Sequence, residues 1–551
     1  MYDTTESIEM LLNEKHPINR LKSDTELYKV PESGNYNFKD TPLNDPRVWR
    51  LFAKGNTRGV FQLEKQLGQD WSRKCRPENI EHLAALVSIL RPGPLESGFA
   101  ESYCKRKNGQ EEIVYLHYSL EPILKDTFGC LIYQEQAMRI AVDIAGFNEV
   151  QADNLRKAIG KKKPEEMVKV KKMFLEGAKD KKLVNEKEAE EIFGWIEKSV
   201  RYSFNKSHAV SYAMIAYLSA YQKTHFPTEF YCSWLTYSDW KPNPKEEIYE
   251  LVQNARLDGI KVNPPDIRRK NIDFEIIGEK EIAFGLSHIR GVGASAIENI
   301  SNIKNIDTFV GFLKSVKKLK RNVAESLIKS GACDCYGMSR AMMLQRIYVI
   351  FGRNEKDTEN QAPEVKSLTP NEYEYVMSKI DKQTIQECLQ GVIDNKVCVK
   401  KRIPTIESKI TYINKVQADT NKIKSIWEKL YLGLNLTCSA ADDVSKMENN
   451  ITSCRDAHKK NHKDKVTMHV VIDDIRLRKT SEKAKNPGQE FAYLNISDNS
   501  GALQNVVCWP ETWDKAKNDG LTQDCVVCLY GYKDCYNGRE QVVASDIVVI
   551  G

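Results

Sequence analysis

The chain has 551 residues, 41% hydrophobic and 29% charged, with a formal net charge of +6. That length exceeds what one hydrophobic core serves, so roughly two to four domains are expected, and the composition excludes wholesale disorder. No apolar run approaches the ~20 residues of a membrane span, and Met1 to Arg20 lacks the apolar core of a signal peptide, which points to the cytoplasm.

Residues 1–45 read as a polar lead-in broken by Pro31-Glu-Ser-Gly34. From about Asp45 to Trp240 the pattern is helical. Apolar residues recur at three-to-four spacing in 80–90, 133–144, 164–182, 186–198 and 209–225. Pro164 suits a helix start with Glu165 and Glu166 in its first turn, and Pro227 suits the end of the segment from Ala209. Residues 240–340 read as a second helical unit, briefly extended around Ile282–Phe284. A polar linker at 355–370 leads to helical text at 371–390 and 405–430. From Val466 the period changes to that of strands, at 466–475, 491–496, 503–508, 525–532 and 541–550, with a short helix at 510–518. Five strands with a helix between the third and fourth is the OB-fold order. The expected fold class is multidomain: mostly α-helical, followed by a C-terminal all-β OB-fold.

Charge is unevenly distributed. Between Arg156 and Lys182 there are eleven Lys or Arg and four Asp or Glu, and Lys314 to Arg321 is a second basic concentration. Such local surfaces attract phosphates even in a nearly balanced molecule, although solvated helix faces account for either cluster equally well. The fourteen cysteines show no regular framework and read as reduced thiols. Cys333-Asp-Cys335 and Cys525-Val-Val-Cys528 lack the second pair that a tetrahedral zinc site requires.

Four segments have the residue types of a nucleotide or nucleic-acid interface. In Arg290-Gly291-Val292-Gly293 closely spaced glycines precede a helix start, the shape of a helix-hairpin-helix turn that holds a DNA phosphate on backbone amides. A second such unit is expected at Ala324–Gly331. Leu155–Lys163 gathers five cations in nine residues, which suits a triphosphate. Tyr202-Ser-Phe-Asn-Lys-Ser-His208 mixes Tyr202 and Phe204, able to stack on a base, with Lys206 and His208, able to hold phosphate; an amphipathic helix pair is the competing account. Phe491, Tyr493 and Trp509 are candidates for stacking unpaired bases, or else barrel core.

Eight segments in order resemble the bacterial DNA polymerase III alpha subunit, the C family of replicative polymerases: Gly59-Val-Phe-Gln-Leu-Glu64, Leu90-Arg-Pro-Gly-Pro-Leu95, Tyr133-Gln-Glu-Gln136, Leu155–Pro164, Phe204-Asn-Lys-Ser-His208, Asn263-Pro-Pro-Asp-Ile267, Ile289-Arg-Gly-Val-Gly293 and Leu327-Ile-Lys-Ser-Gly-Ala332. The resemblance is dense over residues 45–340 and looser toward the end. It implies a lead-in at 1–45, fingers at 46–240, a tandem helix-hairpin-helix duplex-binding domain at 241–340, a helical linker at 341–465 and an OB-fold at 466–551. It also implies that Arg156 and Lys157 contact the triphosphate of the incoming nucleotide, with Lys161 and Lys162 in the same basic segment. Lys206 and His208 would face the nascent base pair. Ser203 stands where many relatives have glycine.

The family's palm carries metal-binding aspartates in a Pro-Asp-x-Asp motif and an Asp-Phe-Leu-Gly-type motif. Neither occurs in this sequence, so Mg²⁺ is expected on a palm supplied by another chain and not on this one. The family's clamp-binding peptide is also not evident, since Gln417-Ala-Asp-Thr-Asn421 begins alike but ends polar. The leading expectation is a split DNA polymerase, as from a gene interrupted by an intron or intein or a phage-type split gene. This chain would then supply incoming-nucleotide, duplex and template binding, with primer-template DNA, dNTP and a palm-containing chain as partners, and would be inactive alone. A non-catalytic DNA-binding accessory protein and a truncated remnant are the alternatives. The triphosphate-facing cations favour the first.

Overall fold

The computed structural model describes residues 41–550 except 92–93, 96–97, 161–163, 201–202, 304–305, 317–318, 352–367, 380–384, 414–418, 446–450, 483–485 and 537–538. The chain forms two compact units that divide between Phe230 and Tyr231. Among the described residues no helix is long and apolar enough to cross a membrane. All fourteen cysteines are free thiols.

The first unit is helical. Asp45 caps α1 (Pro46–Lys54) by accepting from the Arg47 amide at 2.8 Å, and Gly55 ends the helix in the left-handed region. After α2 (Gln66–Cys75) comes α3 (Ile80–Ile89), capped by Asn79 and buried from Leu83 to Ile89, which is why its apolar residues run almost continuously. Next are α4 (Phe99–Lys107), α5 (Gln134–Ala145), α6 (Glu149–Gly160), α7 (Pro164–Lys181), α8 (Glu186–Val200) and α9 (Lys206–His225). One core holds α5 to α8 around Phe174, whose ring lies 6.1 Å from Phe147 and 5.3 Å from Phe193. Gly177 permits the close approach of α7 to α5, since a Cβ there would lie 2.0 Å from the Ala145 carbonyl oxygen.

The α9 helix starts three residues before the expected Ala209, because Asn205 caps it by accepting from the His208 amide at 2.9 Å. Farther along, α9 fastens the loop after α1. Lys223 Nζ donates to Asn56 O, Asn56 Oδ1 and Arg58 O at 3.0–3.1 Å, and Ser219 Oγ accepts from the Phe61 amide at 3.1 Å. A buried ammonium is satisfied here by carbonyls.

The second unit has more strand than the single extended stretch expected around Ile282–Phe284, which belongs to a small sheet. After α10 (Pro244–Leu257) comes a three-stranded sheet in which β3 (Glu281–Ala283) pairs parallel with β1 (Lys261–Asn263) and antiparallel with β2 (Glu275–Gly278). Strands of three and four residues are too short to display a period of two. Then follow α11 (Ala294–Ser301), α12 (Phe309–Val316), α13 (Arg321–Lys329) and α14 (Arg340–Phe351). The second unit expected at Ala324–Gly331 is the body of α13 and its C-terminal turn, where Gly331 has φ +89°.

Of the expected helical text at 371–390, α15 (Pro370–Lys379) and α16 (Ile385–Asp394) are helical on either side of residues outside the described ones, and that at 405–430 is α17 (Ile403–Ile413) and α18 (Asn421–Leu432). The start of Gln417–Asn421 lies outside the described residues. Buried Arg340 donates to Asp334 Oδ2 and Glu428 Oε1, both at 2.7 Å, and so binds α14 to α18.

The last element is a closed five-stranded barrel in the order β4-β5-β6-β8-β7, with β4 (Lys465–Lys479), β5 (Glu490–Asp498), β6 (Gly501–Cys508), β7 (Val526–Tyr536) and β8 (Arg539–Val549). The parallel β6–β8 pair closes it, and α19 (Pro510–Asn518) sits between β6 and β7, the OB arrangement. Val470, Ile472, Leu494, Val506 and Leu529 fill its interior with Trp513 from α19.

Candidate nucleotide and nucleic-acid interface

Four separated segments meet in the first unit. Tyr133 and Phe204 form a parallel β-bridge, with the Phe204 amide donating to Ile132 O and the Gln134 amide to Phe204 O, each at 3.0 Å. Gln136 Oε1 steadies that strand by accepting from the amides of Ile132 and Tyr133, both at 3.0 Å. Glu135 accepts from Asn205 Nδ2 at 2.7 Å and from the Lys206 amide at 2.9 Å, which fixes the first turn of α9 against α5.

A run of rings follows from this bridge. The Arg91 guanidinium lies 4.0 Å from the Phe204 ring centre, Phe204 lies 5.3 Å from His208, His208 4.2 Å from Tyr212, and Tyr212 5.2 Å from Phe61. Phe204 is buried beneath Arg91 and His208, whereas Lys206 and His208 are exposed on the first turn of α9. Lys206 Nζ stands 5.7 Å from the Tyr133 ring centre. Sequence reasoning named Phe204, Lys206 and His208 but gave no role to Arg91, Glu135 or Tyr212. Their proximity arises from contacts between distant segments, and no local spacing signals it.

Arg156 and Lys157 lie on the last turns of α6, and both are paired with Asp153. Arg156 Nε donates to Asp153 Oδ1 at 2.9 Å, and Lys157 Nζ approaches Oδ2 at 2.7 Å. Lys157 and then Arg156 pull the Asp153 carboxyl below its ordinary range. Lys161, Lys162 and Tyr202 lie outside the described residues.

In the second unit, Gly291 has φ +89° and Gly293 caps α11 in an extended conformation. A Cβ on Gly291 would lie 2.7 Å from Ser326 Oγ, while the space around Gly293 is open to 4 Å. The Arg290 amide donates to Tyr431 O at 2.9 Å, and Arg290, Gly291 and Gly293 are all exposed. The chain therefore turns tightly and presents the start of α11 to solvent, where backbone amides can receive a phosphate.

On the barrel, Arg476 is opposite Tyr493, and Arg478 is opposite Phe491, in the β4–β5 register. Directly paired residues share a face, so two cations and two rings lie on one surface. Phe491 is 5.4 Å from Tyr493 and 5.3 Å from Trp509. Trp509 is 46% exposed, Tyr493 is half-buried, and Phe491 is 8% exposed. Trp509 thus offers the open ring of the three. Among the described residues no group of three or more His, Cys, Asp or Glu is arranged to hold a metal ion.

A model of the bacterial DNA polymerase III alpha subunit finger domain matches residues 18–182, and a helix-hairpin-helix motif model matches residues 259–343. The DNA polymerase III subunit alpha of Aquifex aeolicus is 32% identical over 525 residues, 94% of this chain and 40% of that protein. Those of Thermus aquaticus and Escherichia coli (strain K12) are 39% and 38% identical over 55% and 56% of this chain, and 25% and 27% of their own lengths. The chain spans less than half the length of these relatives. With matches to a finger domain and to a helix-hairpin-helix motif, the chain is homologous over most of its length to the bacterial DNA polymerase III alpha subunits.

Proposed function

We propose that this chain serves DNA replication as the finger, duplex-gripping and template-guiding part of a DNA-directed DNA polymerase. Its working divisions are fingers over 46–240, a helix-hairpin-helix domain over 241–340, a helical linker over 341–465 and an OB-fold over 466–551. The observation that carries this reading is the paired cations Arg156 and Lys157 within the matched finger region, beside the basic run that ends the motif. Their pairing with Asp153 is at the surface, where an ion pair is worth only about 0–1 kcal/mol. A triphosphate, with several charged oxygens, displaces one carboxylate at little cost. Lys161 and Lys162 extend the same surface in sequence, and Lys206, His208, Phe204 and Tyr202 belong to the nascent-base-pair side.

Arg290, Gly291 and Gly293 hold a phosphate of the duplex without reading sequence. Phe491, Tyr493 and Trp509, with Arg476 and Arg478 alongside, receive the single-stranded template by stacking and charge. The metal-binding aspartates lie on a palm outside these 551 residues. Those aspartates would hold Mg²⁺, which would supply the charge that primer-hydroxyl activation and pyrophosphate departure need. A palm-containing chain is the partner that this chain requires when it acts as a separate molecule.

The test is primer extension with Mg²⁺ and dNTPs by this chain, by a palm-containing chain, and by both together. Extension by the mixture alone, reduced at least about tenfold by Arg156→Ala/Lys157→Ala, is expected. DNA binding with no extension in any mixture would establish instead a non-catalytic DNA-binding protein.

A further inference from the structure

Arg91 lies in Leu90-Arg-Pro-Gly-Pro-Leu95, a segment to which neither the sequence pattern nor the proposed function gives a task. Its guanidinium lies 4.0 Å from the Phe204 ring centre, and the residue is exposed. On the other half of the same two-residue bridge, Lys206 Nζ is 5.7 Å from the Tyr133 ring centre. Phe204 and Tyr133 are 8% and 3% exposed, so both cations rest against fixed, buried rings.

Among the described residues no carboxylate lies within 4.0 Å of either cation, in contrast to Arg156 and Lys157, which share Asp153. The carboxylate of the neighbouring turn, Glu135, is committed to Asn205 Nδ2 and the Lys206 amide. A ring holds a cation by its face without neutralising it, which leaves the N–H groups for another acceptor. A planar guanidinium fixed in this way presents a fork that matches two phosphate oxygens, and an ammonium adds a point charge.

We propose that Arg91 and Lys206 form a second phosphate-binding pair, which grips the phosphate chain of the incoming nucleotide from the Tyr133–Phe204 bridge. Its assignment to a nucleotide rests on the polymerase reading. The pair itself rests only on the two cations and their rings. Arg156 and Lys157 hold the chain from α6, and Arg91 and Lys206 are positioned to orient it.

The probe is inorganic triphosphate, titrated calorimetrically into the 551-residue chain and its variants. Arg91→Met keeps an unbranched chain over Phe204 and removes the charge. It is expected to weaken binding about tenfold or more, the usual loss for a hydrogen bond to a charged group. Lys206→Met is expected to do likewise, and Arg91→Lys to lose less. In the extending mixture, Arg91→Met should raise the KM for dNTP by a similar factor while duplex DNA affinity stays near wild type. If Arg91 served only to cover Phe204, Arg91→Met would match wild type in both measurements, and the inference would be overturned. Triphosphate binding that depends on Arg91, with no primer extension by any mixture, would uphold the pair and sink the polymerase reading. Extension with an unchanged KM and unchanged triphosphate affinity would do the reverse.

Discussion

Asp45 is buried where α1 begins, with His225 Nε2 2.7 Å from its Oδ2 and the Arg47 amide on Oδ1. Burial on its own would raise its pKa, but the His225 and Arg47 hydrogen bonds outweigh that and bring it from 3.8 down to about 2. A depressed carboxyl stabilises the fold above its ordinary pKa, and that contribution is lost as pH falls from 3.8 toward about 2. Asp45→Ala strands His225 and is expected to cost about 3 kcal/mol, read as a lowered urea midpoint at neutral pH. Asp45→Asn should flatten the fall of melting temperature across that acid window. The sequence could name neither partner, because 180 positions separate them. Lys206 and His208 were legible as a cation and an imidazole among the aromatics of Tyr202–His208, whereas the Asp153 pairing of Arg156 and Lys157 and the stacking of Arg91 were not.

At the level of elements, the two glycines before α11 should behave differently. Gly291 has φ +89° and would push a Cβ to 2.7 Å from Ser326 Oγ, so Gly291→Ala is expected to cost roughly 1–2 kcal/mol of stability. Gly293 has φ −93° and open space, so Gly293→Ala should leave the melting temperature unchanged. The added methyl group stands beside the exposed amides, and duplex DNA affinity should fall severalfold in a fluorescence-anisotropy titration. Equal loss of stability in both variants would contradict this division of labour. Elements with many repeats of their own period were the legible ones. The barrel strands and α19 emerged nearly at their expected bounds because each inner face alternates with an outer one. The strands β1 and β2 had too few residues to alternate, and the break within 405–430 had no glycine or proline to mark it.

The whole chain distributes its cations instead of accumulating them: a net charge of only +6 is compatible with cations placed on α6, at the turn before α11 and on the β4–β5 face of the barrel. Their chemistries differ, and one pair of variants should separate them. Amides at a helix start accept any backbone phosphate, so Gly293→Ala should weaken blunt duplex and primer-template junction alike. An open indole needs an unpaired base. Trp509→Ala should therefore spare the blunt duplex and weaken a junction with a long template overhang about tenfold, the usual worth of one stacked base. Because Trp509 is 46% exposed, the barrel should keep its melting temperature, whereas Phe491→Ala, at an 8% exposed site, should destabilise it. The discriminating measurement is the ratio of junction to duplex affinity at fixed salt, since phosphate contacts alone make both affinities fall as salt rises. A ratio unchanged by Trp509→Ala would remove the barrel face from the path of the single strand and leave duplex grip to the turn before α11.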